Sequence, residues 1–326
     1  METMMKKGRS LFLSVAVCAV LCLCSACVSD MVGSSLSGYK KNGVQAKKSA
    51  SKNDPMLALT GETDVILVGD FFPTALKMYE ILQAQNPDHL GLAYMTGSLN
   101  VMYANAFVQT PAESLGVDEF DKQNAEFERA KLHYLRGRDL ELRFLDGRHK
   151  GFADAMFSGD EKRIAAAVAE MDNNDVDAAY WCGAGWLAAF SLDILNPDLI
   201  ANLGAPIALL NRAAEINPDY NGGAIWDVLF NFYMAAPGDF GGDPERGMQC
   251  YEEELRVSGG KTPGPYVTYA TAVCIPNGDE EGFDEALDKA LAINPDDVPA
   301  TRLMTTIAQN KARYLKAHKS DYFVQW

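Results

Sequence analysis

Histidine is scarce in this chain: there are four, His89, His133, His149 and His318, and no two stand at the spacing of metal ligands. All four read as surface or loop residues. Basic residues are also few. With 29 Lys and Arg against 44 Asp and Glu, the formal charge is −15, a field that repels nucleic acid and anionic membrane surfaces. Long apolar runs are missing after Cys27, so nothing there can span a bilayer. Catalytic signatures are missing too, with no nucleophile elbow and no Ser-His-Asp order. The stretch Ser258-Gly259-Gly260-Lys261-Thr262 carries Leu255 where a phosphate-binding loop needs glycine, so it reads as a helix-capping turn. The acidic stretch from Asp172 to Asp177 lacks the turn glycine and closing Glu of a calcium loop, and helix capping accounts for it. These absences point away from an enzyme, and no cofactor or metal site is expected.

Of seven cysteines, Cys18, Cys22 and Cys24 fall in the apolar run 11–26, which follows Lys6, Lys7 and Arg9. A basic start, a short apolar run and small residues form an export signal, here 1–26. Its end, Leu23-Cys24-Ser25-Ala26-Cys27, resembles a bacterial lipobox, with Cys24 where most carry Leu. The expectation is a lipid on Cys27, each buried methylene contributing about 0.8 kcal/mol to anchoring. The membrane is then reached by the lipid anchor alone. Removing the basic signal leaves the mature chain more acidic still. Cys182, Cys250 and Cys274 remain, odd in number and set among apolar residues, so they read as small buried hydrophobes rather than a disulfide framework.

Residues 28–52 are rich in Ser, Gly and Lys and poor in large apolar groups, the composition of a flexible tether. The organisation expected is therefore a signal (1–26), a lipidated cysteine with tether (27–54) and an all-α domain (55–326). Within that domain Asn-Pro-Asp recurs at Asn86, Asn196, Asn217 and Asn294. Proline disfavours helical geometry in the residue before it, so each Asn is expected to close a helix and each triplet to mark a corner. Phe283, Ala286, Leu287, Ala290 and Leu291 form one apolar helical face. Asn217, Ser258 and Asn294 stand at intervals near the tetratricopeptide period of about 34 residues. An irregular tetratricopeptide-like array of helical hairpins follows, whose stacked pairs create a concave surface. Two stretches, 64–69 and 266–275, are rich in β-branched or aromatic residues, and helical spacing favours helix for both.

Several segments together resemble one family. They are Ala106-Phe-Val-Gln-Thr-Pro-Ala112, Tyr134-Leu-Arg-Gly-Arg138, Tyr180-Trp181, Trp186, Ile216-Asn-Pro-Asp-Tyr220, Gly242-Asp-Pro-Glu-Arg246, the stretch from Ser258 to Val267, and the tail from Leu303 to Tyr314. The chain resembles TatT, the T component associated with tripartite ATP-independent periplasmic (TRAP) transporters. The resemblance implies a periplasmic lipoprotein, tethered to a bacterial membrane, that assembles as a homotrimer around a pore. It also implies binding of a periplasmic solute-binding protein, the P component, and passage of a hydrophobic or lipid-like small ligand. The alternative is a generic tetratricopeptide scaffold lipoprotein that serves envelope assembly.

Tyr180, Trp181 and Trp186 lie on one helix that is apolar on most sides, and Trp226, Phe230 and Tyr233 on another. Core packing is the first reading for a helix of that kind. The other reading makes these six the lining of an apolar groove or pore.

Overall fold

The computed structural model describes residues 38–45 and 57–323. The export signal, Cys27 and most of the expected tether lie outside the described residues. Among the described residues the fold is all-α, and no helix is long and apolar enough to cross a membrane.

Helix α1, Val65–Gln85, starts where the Asp64 carboxylate accepts the Leu67 N–H at 3.0 Å, a cap that satisfies one of the orphan donors of a first turn. The ambiguous stretch 64–69 is thus helical. After the corner at Asn86, His89 caps α2, Leu90–Tyr103, through its Nδ1, which accepts the Leu92 N–H at 3.1 Å. This histidine is buried, against the expectation of a surface position. Helix α2 runs on through a π turn, Ala104–Gln109. The long α3, Phe120–Arg148, follows, then α4, Glu161–Ala169, α5, Val176–Leu192, and α6, Gly204–Ile216. Next come the hairpin of α7, Ala224–Ala235, and α8, Pro244–Ser258. The turn after α8 is closed by Gly259 in the left-handed region (φ 60°), the helix cap expected there. The β-rich stretch 266–275 is helical: α9, Gly264–Tyr269, enters behind Pro265 and continues through a π turn, Ala270–Cys274. Helices α10, Glu280–Ala292, and α11, Arg302–Ala317, complete the array.

The Asn-Pro-Asp corners divide into two kinds. Asn86 and Asn217 close helices as expected. Asn196 and Asn294 instead open the next turn, their side chains accepting the N–H of Asp198 and Asp296, each at 3.1 Å. At Asn196 the preceding helix has already ended at Leu192, so the residue is free to cap forward.

Helix α3 packs between α2 and α5, and small residues set that spacing. A β-carbon on Gly137 would lie 2.5 Å from Val101 Cγ2 and 2.9 Å from the Gly97 carbonyl oxygen. One on Gly185 of α5 would lie 2.8 Å from the same valine. The main core spans α1 to α8 and includes Leu303 and Ile307 of α11; a second, smaller core joins α9, α10 and α11 through Phe283, Leu287 and Leu315. Cys182, Cys250 and Cys274 are buried and unpaired, as expected of small hydrophobes. The labelled helices run from 6 to 29 residues, so the hairpins stack without a fixed period.

The array closes on itself. The short helix Leu57–Thr60 packs on α11, Arg302 Nη1 donates to the Gly61 carbonyl at 2.9 Å, and Lys311 pairs with Glu113 at 2.7 Å.

Part of the expected tether is folded. In 38–45 a turn places Tyr39 in the core, its ring 4.7 Å from Tyr94 and 5.2 Å from Phe144. One aromatic ring in an otherwise polar segment supplies enough apolar area to dock it.

Candidate apolar recess and its carboxylates

Helices α5 and α7 are apolar on most sides, and each carries one charged residue, Asp177 and Asp227. The structure divides the six aromatics on these helices. Trp186 and Phe230 are 0% exposed and Tyr233 is 2% exposed, so these three belong to the core and offer no surface to a ligand. Trp186 lies under the Arg138 guanidinium (4.9 Å) and beside Phe157 (5.1 Å). Phe230 packs on Tyr251 and Tyr233 lies under Arg246. Tyr180, Trp181 and Trp226 are only half-buried. Tyr180 contacts Trp181 at 4.9 Å and Tyr220 at 5.1 Å between ring centroids. Trp226 Nε1 donates to the Pro218 carbonyl at 2.8 Å, which fixes the indole against the corner that carries Tyr220.

Polar groups line this aromatic wall at both ends. At one end Asp177 lies beside the hydroxyls of Tyr39 and Tyr220, and Gln45 also reaches it. Burial, then Asp177, pushes the Tyr220 phenol well up. Deeper on the same side, Glu141 is fully buried next to Gly97, and neither carboxylate oxygen makes a hydrogen bond among the described residues. Burial first and Asp177 second hold its carboxyl well above the usual range, which favours the neutral form.

At the other end are Asp227 of α7 and Glu254 of α8. Asp227 Oδ1 accepts from Thr268 Oγ1 at 3.0 Å. Burial raises its carboxyl, while Thr268 and Lys311 oppose the rise. Glu254 is 4% exposed, and burial followed by Asp227 pushes it up to about 10. Asp227 and Tyr180 are half-buried, and burial raises both groups.

A family model described as TRAP transporter T-component matches residues 61–323. The chain belongs to that family. It is also similar to an uncharacterized protein of Treponema pallidum (strain Nichols), 42% identical over 318 residues that cover 95% of this chain and 98% of the relative. This T component is accordingly an accessory subunit of a TRAP system.

Two other surface features of the T component stand apart from the recess. Open grooves of about 520 Å³, between α1, α2 and α3, and about 540 Å³, between α4 and α6, contain none of the aromatics above. Along α1, Ile66, Leu67, Phe71, Met78 and Ile81 form an exposed apolar stripe, with Ile66 77% exposed. A stripe of that length on a helix surface marks an interaction face.

Sequence reasoning missed Tyr94, Tyr220, Asp177, Asp227 and Glu254. A signal existed for two of them. A single carboxylate in an otherwise apolar helix has to face something other than hydrocarbon. Glu254 follows Glu252 and Glu253, and nothing in that run distinguishes it.

Proposed function

We propose that this T component is a periplasm-facing lipoprotein, anchored through a lipid on Cys27, that works as a homotrimer. It binds the solute-binding P component of its TRAP system and passes an apolar, lipid-like ligand along the recess beside Tyr180, Trp181 and Trp226. The observation that carries this reading is the cluster of half-buried aromatics Tyr180, Trp181 and Trp226. Aromatic faces that stay accessible inside a T-component fold are what an apolar ligand requires, since such pockets are lined by aromatics with a few placed polar groups. The exposed stripe on α1 supports self-association, because an apolar face of that size is costly in water.

The test is affinity capture of the tagged, lipidated protein from its own envelope, followed by native mass spectrometry. Recovery of a trimer carrying a solute-binding protein supports the proposal. A monomer that brings down no solute-binding protein overturns it.

A further inference from the structure

The Asp227 and Glu254 carboxyl groups converge on one small space. A β-carbon on Gly264 would lie 3.7 Å from Asp227 Oδ2 and 4.0 Å from Glu254 Oε1, ordinary contact distances that leave room for an atom between the two. Glu254 Oε2 and the hydroxyl of Thr262, two positions before Gly264, are both buried without a hydrogen-bond partner among the described residues. A buried polar group left unpaired costs about 1–3 kcal/mol, so such groups call for a partner. Nearby cations do not meet the demand. Lys311 is held by Glu113 at 2.7 Å and Arg256 by Glu253 at 2.8 Å. Burial first, then Asp227 and Glu254, raise the Tyr180 phenol, which sets that ring near the pair.

We propose that Asp227, Glu254 and the Thr262 hydroxyl form a head-group site for a primary ammonium on an apolar body, whose chain lies against Tyr180 and Trp226. This inference rests on the apolar-recess reading and adds to it the charge of the ligand. The chemistry is specific. An ammonium has three N–H donors and no acceptor. Its charge beside Glu254 favours the ionised carboxyl against the burial that otherwise keeps it protonated up to about 10. The two carboxylates with one unpaired hydroxyl then offer acceptors to the ammonium. Charge-assisted bonds of that kind are about twice as strong as neutral ones. An aromatic face within about 6 Å adds cation–π attraction. A carboxylate head group would meet two carboxyl groups, and among the described residues the nearby Lys311 is already held by Glu113.

The test compares n-hexylammonium, n-hexanol and n-hexanoate by titration calorimetry at pH 7 on the full-length lipidated protein in lipid nanodiscs, with empty nanodiscs as the blank. Hexylammonium is expected to bind at least about tenfold tighter than the other two, a difference of about 1.4 kcal/mol. Glu254→Gln removes the carboxyl that gives up its proton as the ammonium arrives. Gly264→Ala fills the space with a methyl at ordinary contact distance and leaves both carboxylates in place. Each is expected to erase most of the preference while hexanol binding stays unchanged. Equal binding of all three compounds, a preference for hexanoate, or a preference that survives both substitutions overturns the head-group site and leaves the apolar recess standing. If even hexanol fails to bind, the apolar-recess reading falls, and the head-group site falls with it.

Discussion

The Tyr39 hydroxyl donates to the Asp177 carboxylate across 138 positions of sequence. That bond ties the segment 38–45 to the first turn of α5, where Asp177 also faces Tyr220. Tyr39→Phe keeps the ring in its place against Tyr94 and Phe144 and removes the bond. A cost of about 1–2 kcal/mol is expected, read as faster amide hydrogen exchange at Lys40 and Gly43, whose N–H groups bond within the turn. Tyr39→Ala also removes the ring, and about 3–5 kcal/mol is expected for a buried aromatic. Unchanged exchange in both variants would show that the segment is held by other contacts.

Glu141 gives the fold a pH dependence with a defined sign. Its native carboxyl stays protonated well above the ordinary value of 4.5, whereas the unfolded chain releases that proton near 4.5. The native state therefore binds more protons above pH 4.5, and stability falls as pH rises towards the folded pKa. Glu254 acts in the same direction over a window that ends near 10. Glu141→Gln keeps the shape and removes the titration. Its melting temperature is expected to rise relative to that of the wild type as pH climbs above 4.5, with the difference becoming constant below pH 4.5. Parallel curves across the whole range would contradict the assignment.

Gly137 sets the approach of α2 and α3. The β-carbon of an alanine there meets a backbone oxygen at 2.9 Å as well as Val101, and the backbone cannot rotate away as a flexible side chain can. Gly137→Ala is expected to destabilise by about 1–3 kcal/mol. Gly204→Ala, where a β-carbon meets nothing within 4 Å, is expected to leave the denaturation midpoint within error. Similar midpoints for the two variants would remove close packing as the reason for the glycine.

The stripe on α1 bears on self-association. Phe71→Asp with Met78→Asp places two charges on residues that are exposed in the single chain, so the monomer is expected to keep its fold and melting temperature. Analytical ultracentrifugation should then show loss of the trimer. A trimer that survives both charges would place the interface elsewhere.

Much of the helical order was legible because it is written in local chemistry. Asp64, Pro265 and Gly259 punctuate the chain as their backbone preferences require, and the ambiguous stretches 64–69 and 266–275 resolve as helix at these markers. The docking of Tyr39 was hidden because its partners, Tyr94, Phe144 and Asp177, come from three distant helices. The site was legible only in outline. An apolar helix pair was visible, but whether Trp186 or Trp181 faces the core depends on which neighbours α3 and α6 present, and periodicity is weak where a helix is apolar on most sides. The meeting of Asp227 with Glu254 depends on the crossing of α7 over α8, which no short pattern encodes.

The contacts that join Arg302 to Gly61 and Lys311 to Glu113 also have a mechanical meaning. An open stack of hairpins behaves as a spring, because small rotations at each junction sum to a large change in curvature at little cost. Here the two ends of the spring are clasped. Opening the array requires the Arg302 side-chain hydrogen bond to the Gly61 carbonyl and the Lys311–Glu113 ion pair to break together, so the curvature is set by the fold. A ligand held as proposed would then meet fixed dimensions rather than a cleft that closes around it.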